Sequence, residues 1–276
     1  MESASELGKL QGWVEAVLRL PMGKLHQLSL KSHTAKVKHL CTVQQTMDRW
    51  IHGHAEAKES ILHMVSQSLA NPSGVPQIIG IQGPMGNGKT TLVRQGIARA
   101  LGRPFVQISL GGMGDAALLR GHAFTYENAR WGLVAQALMD AQCANPVLYF
   151  DELDKVSQSP QGNEVISTLI HLTDPAQNTE FYDAFLDLSL DLSKAVFIFS
   201  FNSESSLSPI LLDRLYMIRT QALDPREKMV IASQYLLPAL SRNVGFAPGQ
   251  VHMCGDAARV VVDMFSNGEQ GVRELR

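Results

Sequence analysis

One run of eight residues, Gly83-Pro84-Met85-Gly86-Asn87-Gly88-Lys89-Thr90, constrains this chain more than any other feature. It reads G-x-x-x-x-G-K-T, and its flanks complete the context: the apolar stretch 77–82 has strand character, and Thr91 to Leu101 has helical spacing. Three glycines let the backbone turn without Cβ clashes, so successive N–H groups face inward as an anion nest, reinforced by the positive end of the following helix. A phosphate chain fits such a nest. The cradle is expected to span Gly83 to Thr91, with Lys89 reaching the β- and γ-phosphates as a point charge and the Thr90 hydroxyl on Mg²⁺.

Short β-branched and aromatic runs, at 77–82, 104–109, 147–150 and 195–201, alternate with helical stretches. Strands separated by helices imply parallel crossovers, with ligands gathered at the carboxyl ends of the strands. The strand at 147–150 runs straight into Asp151-Glu152. Asp151 is expected to serve the Mg²⁺, directly or through a bound water, while Glu152 acts as general base or orienter for an attacking water. The strand at 195–201 ends at Asn202, whose amide suits hydrogen bonds to water and γ-phosphate but is also an ordinary turn residue.

Outside this region the signals are softer. Leu7 to Leu20 has helical spacing up to Pro21, segment 24–40 is basic without a clean period, and 42–69 again looks helical up to Asn71-Pro72. After Asp224-Pro225 the pattern is purely helical: 226–240, 255–265, and from Gly271 onward. The expected organisation is a helical leader and linker at 1–41, an α/β nucleotide-binding domain at 42–224, and a truncated helical lid at 225–276. Arg214, in Leu211-Leu212-Asp213-Arg214, suits charge neutralisation on a transferring phosphoryl group or an ordinary surface pair with an acid. Arg273 suits contact with nucleotide from the lid side or a solvated position.

The composition, 45% apolar with 18% charged residues, is that of a soluble globular chain. A formal net charge of −2 gives no electrostatic reason to expect nucleic acid. No segment approaches the ~18 uninterrupted apolar residues of a membrane span, and no signal or transit peptide is recognisable. Three widely spaced cysteines form no C-x-x-C pair and read as free thiols, which points to a reducing, cytoplasmic setting. His52-Gly53-His54 with Glu56 lacks further ligands at metal spacing.

The series of motifs resembles the ATPase module of Lon-type AAA+ proteases. It includes Leu20-Pro-Met-Gly-Lys24, Ile97-Ala-Arg-Ala-Leu-Gly-Arg-Pro-Phe105, Ile108-Ser-Leu-Gly-Gly112, Arg120-Gly-His122, Asp151-Glu-Leu-Asp-Lys155, Asp174-Pro-Ala-Gln-Asn178 and Leu211-Leu-Asp-Arg214. The resemblance implies an AAA+ P-loop fold, Walker A at Gly83 to Thr90, Walker B at Asp151 and Glu152, and sensor one at Asn202. It further implies an arginine finger acting on the neighbouring subunit at Arg214, sensor two at Arg273, and a hexameric ring. Tyr126 matches the family's polypeptide-gripping pore residue, although Glu127-Asn128 and Trp131 depart from the pattern around it. His52-Gly53-His54 stands where the family has Tyr-Gly-Leu beside the adenine, which places His54 among the base contacts.

The expected function is ATP hydrolysis by a motor that unfolds or translocates polypeptide through a ring pore to feed a peptidase. No Ser–Lys peptidase is expected within the 276 residues, so the peptidase lies downstream or on a separate chain. Two alternatives are a nucleotide-gated scaffold with little turnover and a AAA+ remodeller of nucleic acid.

Overall fold

The computed structural model describes residues 2–30, 32–72, 74–126, 129–247, 249–266 and 270–275. Five strands, β1 (Ile79–Gln82), β2 (Phe105–Ser109), β3 (Val147–Asp151), and, after a small hairpin formed by β4 (Phe181–Asp183) and β5 (Leu188–Leu190), β6 (Val196–Phe201) and β7 (Tyr216–Arg219), make up the central sheet. β2, β3, β6, β1 and β7 lie side by side in that order, with every neighbour parallel, while β4 and β5 pair antiparallel on their own. Parallel pairing brings all five carboxyl ends to one edge, so the loop after β1, the acids after β3 and Asn202 after β6 converge there.

The sheet is buried on both faces, as parallel sheets require. On β3 the pleat sends Leu148 and Phe150 to one side and Val147 and Tyr149 to the other. The first face packs against the helices Leu133–Ala141 and Pro160–Leu172 and the β4–β5 hairpin. The second packs against helices His33–Trp50 and Ala55–Ala70 and the helix after the glycine loop. That last helix is α over Lys89–Thr91, π over Leu92–Ala98 and α again over Arg99–Leu101.

The leader forms one helix, Glu2–Arg19, anchored by Trp13 Nε1 donating to Leu186 O at 2.8 Å. Beyond it the chain crosses the sheet's opposite edge as a strap. Asn145, buried before β3, donates to His26 O and accepts from His26 N at 2.9 and 2.8 Å.

Four sequence expectations need correction. A helix already spans His33–Trp50, capped by Ser32, whose Oγ accepts from Ala35 N at 3.1 Å; its buried residues Val43 and Met47 fall in its later turns, so the first turns show no apolar period. The expected single helix at 42–69 is two, broken where Gly53 and His54 both take left-handed backbone at φ 69° and 53°. β7 and the β4–β5 hairpin were not expected, since three- and four-residue strands carry too few alternations to register as a period. No helix opens at Gly271: residues 270–275 form bends and a turn.

After β7, Asp224 caps the next helix through a reciprocal pair, its carboxylate accepting from Glu227 N while Glu227 accepts from Asp224 N, with Pro225 at the first position. This helix continues through 225–244 and is followed by Gly255–Phe265. Among the described residues no helix is long and apolar enough to cross a membrane.

Candidate functional site

The glycine loop turns as its composition predicts. Gly86 and Gly88 sit at φ 75° and 96°, open to glycine and costly to other residues. At Gly83 a Cβ would lie 2.0 Å from Thr220 Oγ1, so the end of β7 presses directly on the loop's entry. Asn87, buried at 4% exposure, ties the same place by donating to Thr220 Oγ1 at 2.7 Å.

Lys89 joins two strand ends. Its Nζ donates to Gly83 O at 2.7 Å, Pro84 O at 2.9 Å and Asn202 Oδ1 at 3.0 Å. Burial pulls its pKa below the usual lysine value, against the opposing pull of Asp151 and Asp154.

Asp151 ends β3 on the same face as Tyr149, toward the helix that carries Lys89 and Thr90. Its Oδ1 accepts from Ser200 Oγ, from Tyr149 OH at 3.1 Å and from Glu152 N at 3.1 Å, and its Oδ2 accepts from Gln107 Nε2 at 3.0 Å. The Tyr149 hydroxyl also lies 3.4 Å from Thr90 Oγ1. Burial, the largest influence, pushes that phenol above the ordinary tyrosine range.

Glu152 follows in left-handed backbone at φ 62°, a costly state for a residue with a Cβ. Its carboxylate lies over Gly111, where a Cβ would come within 2.2 Å of Oε2, and pairs with Lys155 Nζ. Asp154 holds the facing loop by accepting from the Asn202 and Ser203 amides at 3.0 and 3.3 Å.

These residues wall a cavity of about 1400 Å³. Met85 to Thr91, Asp151, Glu152 and Asn202 line one side; Tyr235, His252 and Arg273 line another. The 270–272 segment reaches the glycine loop itself: Val272 N donates to Gly86 O at 3.1 Å, and a Cβ on Gly271 would meet Gly86 C at 2.4 Å. Thus Arg273 stands beside the loop although no helix presents it.

Three expected site residues lie elsewhere. His54 turns its Nε2 to Asn87 O at 2.9 Å, behind the loop, and it is His52 that faces the cavity. His54, in left-handed backbone, is thus bonded to the glycine loop and is not among the residues lining the cavity. Arg214 is bound to Ile170 O at 3.0 Å and Asp174 Oδ2 at 3.3 Å, away from the cavity of its own chain. Tyr126 is 66% exposed on the segment before 127–128, which lie outside the described residues, and its carbonyl accepts from Lys9 Nζ at 2.7 Å.

The sequence reading missed Tyr149, Ser200, Lys155 and Asp154. Period-two alternation back from Asp151 singles out Tyr149 as a polar-tipped residue sharing the acid's face, a signal hidden inside an otherwise apolar run. Ser200 carries no such mark, because only the β3–β6 pairing brings it to Asp151.

Residues 79–222, from β1 to just beyond β7, match the model of the ATPase family associated with various cellular activities (AAA). The chain belongs to the AAA family. Over almost its whole length it is also similar to Lon proteases. It is 35% identical to a Lon protease homolog of Acanthamoeba polyphaga mimivirus (97% of this chain, 27% of that protein) and 36% identical to Lon protease 1 of Syntrophotalea carbinolica (99% and 32%). It is 32% identical to the mitochondrial Lon protease homolog of Saccharomyces cerevisiae (99% and 23%). The AAA chain thus spans about a quarter to a third of the length of the relatives it matches.

Proposed function

We propose that this AAA chain binds and hydrolyses ATP, as the motor part of a Lon-like machine that unfolds polypeptide and draws it through a ring pore, feeding a peptidase encoded downstream or separately. The observation that carries the reading is the convergence at Lys89: one ammonium joins the glycine loop to Asn202, with Asp151, Glu152 and Arg273 on the walls of the same cavity.

The residues present suit a nucleoside triphosphate with a hard cation. Amides of the loop and Lys89 supply positive charge for phosphates, and Gly86 and Gly88 hold the left-handed backbone that lets the loop turn. Thr90 and Asp151, one hydroxyl and one carboxylate, match the sparse protein ligation that Mg²⁺ takes beside phosphates. A cation held by Thr90 and Asp151 would supply positive charge against the charge that develops on the phosphates.

Within this reading Glu152 orients an attacking water and accepts its proton, once its carboxylate leaves Lys155. Asn202 positions that water against the γ-phosphate. Arg214, turned from its own cavity, acts on the site of the next subunit, which requires a ring, hexameric in this proposal. Arg273 reports the phosphate state to the lid from 225 onward, because its segment is bonded both to the loop at Gly86 and to Leu223 at the lid's entry, whose N–H donates to Gln270 O at 3.0 Å. Tyr126, exposed, grips substrate.

Phosphate release by the full protein tests the motor reading. Stimulation by an unfolded protein and none by DNA or RNA supports it; stimulation by nucleic acid alone favours the remodeller, and nucleotide binding without turnover favours the scaffold. Changing Tyr126→Ala is expected to abolish the stimulation and leave basal turnover within about two-fold, since loop substitutions far from the cradle leave its stability within ±0.5 kcal/mol.

A further inference from the structure

Tyr149 has no part in the reaction as written above, yet its hydroxyl stands between the two groups assigned to the cation. It lies two residues before Asp151, so the pleat sends both toward the helix bearing Thr90. The ring is fully buried, 5.6 Å from Phe105 between centroids. A phenylalanine would fill that space without burying a hydroxyl, which costs free energy unless the hydroxyl is bonded.

A phenol carries one proton, and its direction follows from its partners. A carboxylate only accepts, so the Tyr149 proton goes to Asp151 Oδ1 at 3.1 Å. With that proton spent, the contact with Thr90 runs the other way, from the threonine hydroxyl to the phenolic oxygen. At 3.4 Å it is longer than the usual 2.5–3.0 Å, the weaker of the two links. The order Thr90 to Tyr149 to Asp151 turns the threonine proton toward the phenol and leaves the lone pairs of Thr90 Oγ1 for a cation. The same order pins Asp151 Oδ1, already bonded by Ser200 and the Glu152 amide.

We infer that Tyr149 is a positioning residue for the divalent cation, its hydroxyl bridging Thr90 and Asp151 and holding both in the orientation that cation binding needs. This rests on the ATP–Mg²⁺ reading of the site. Tyr149 acts on the cation and not on the phosphates, which separates its effect from those of Lys89 and the loop.

The experiment measures binding of a fluorescent ADP to the full protein in EDTA and across a Mg²⁺ titration, for wild type, Tyr149→Phe and Phe105→Leu. Tyr149→Phe deletes one oxygen; Phe105→Leu alters the packing around the ring and leaves the hydroxyl. The expected result is ADP affinity in EDTA within about two-fold for all three, with the Mg²⁺ half-saturation point raised roughly ten-fold in Tyr149→Phe alone, the size of a lost bond to a charged group. An unchanged half-saturation point in Tyr149→Phe, or an equal rise in Phe105→Leu, overturns the inference. Wild type that binds no nucleotide overturns the reading beneath it as well. Where Tyr149→Phe does not fold, 3-fluorotyrosine at position 149 keeps the hydroxyl: its ¹⁹F resonance is expected to shift when Mg²⁺ joins the ADP-bound protein, and a resonance indifferent to Mg²⁺ overturns the inference.

Discussion

At the scale of single residues, the site is a set of charges held by donors and acceptors from different strands. Lys89 shows the balance. Burial lowers its pKa more than Asp151 and Asp154 raise it, so the folded protein binds this proton less tightly than the unfolded chain. Stability should rise with pH between the lowered folded value and the ordinary 10.5. In thermal unfolding the wild type should therefore gain stability relative to Lys89→Met as pH approaches 10.5; a difference constant with pH contradicts this. Asp183 is a structural counterpart. Fully buried in the hairpin, it accepts from Gly132 N at 2.8 Å and from Phe185 N and Leu186 N at 3.0 Å each, fixing the base of the loop that bears Tyr126. An amide in its place would aim a donor at one of these N–H groups. Asp183→Asn is expected to cost about 1–3 kcal/mol in chemical denaturation, and loss below 0.5 kcal/mol would refute the role. Lys89, Thr90, Asp151 and Glu152 were legible because a glycine-rich loop and a strand ending in acids are local patterns. Ser200, Asp154 and Asp183 were not, since Asp151, Asn202 and Gly132, the partners that give them their place, lie 48 or more residues away in sequence.

At the scale of elements, four of the sheet's five strands were readable, the edge strand β2 among them, and the other edge strand, β7, was not. Each of β1, β2, β3 and β6 is an apolar run bounded by turn residues. β7 buries only Ile218 of its four residues, and its role emerges only where Thr220 meets Gly83. The segment 270–272 was misread as a helix start, because its glycine is selected by contact with Gly86 and not by a cap. Gly271→Ala should push this segment off the loop, given a Cβ 2.4 Å from Gly86 C and Met85 O. We expect nucleotide affinity to fall by at least about ten-fold, a loss of ~1.4 kcal/mol. The helices of the α/β core should keep their amide-exchange protection; global loss of protection would mean that the glycine serves the fold and not the coupling.

At the scale of the whole molecule, the proposed role of Arg214 is the one that needs a second chain. Its guanidinium is held by Asp174 and Ile170 away from its own cavity, which suits a residue that serves a neighbour's site. If so, Arg214→Ala subunits retain nucleotide binding while turnover falls by about 10³-fold or more. Mixing them with Glu152→Gln subunits should restore hydrolysis at interfaces where an intact Arg214 meets an intact Glu152; no recovery in mixed assemblies of confirmed composition contradicts action in trans. The central claim is narrower, that the groups around Lys89 and the β3 acids form one ATP-hydrolysing centre. It is tested most directly by measuring ATP binding and phosphate release together for the full protein and its Glu152→Gln variant. The account predicts equal binding with turnover reduced by about 10²-fold or more; a variant that hydrolyses ATP at the wild-type rate would contradict it.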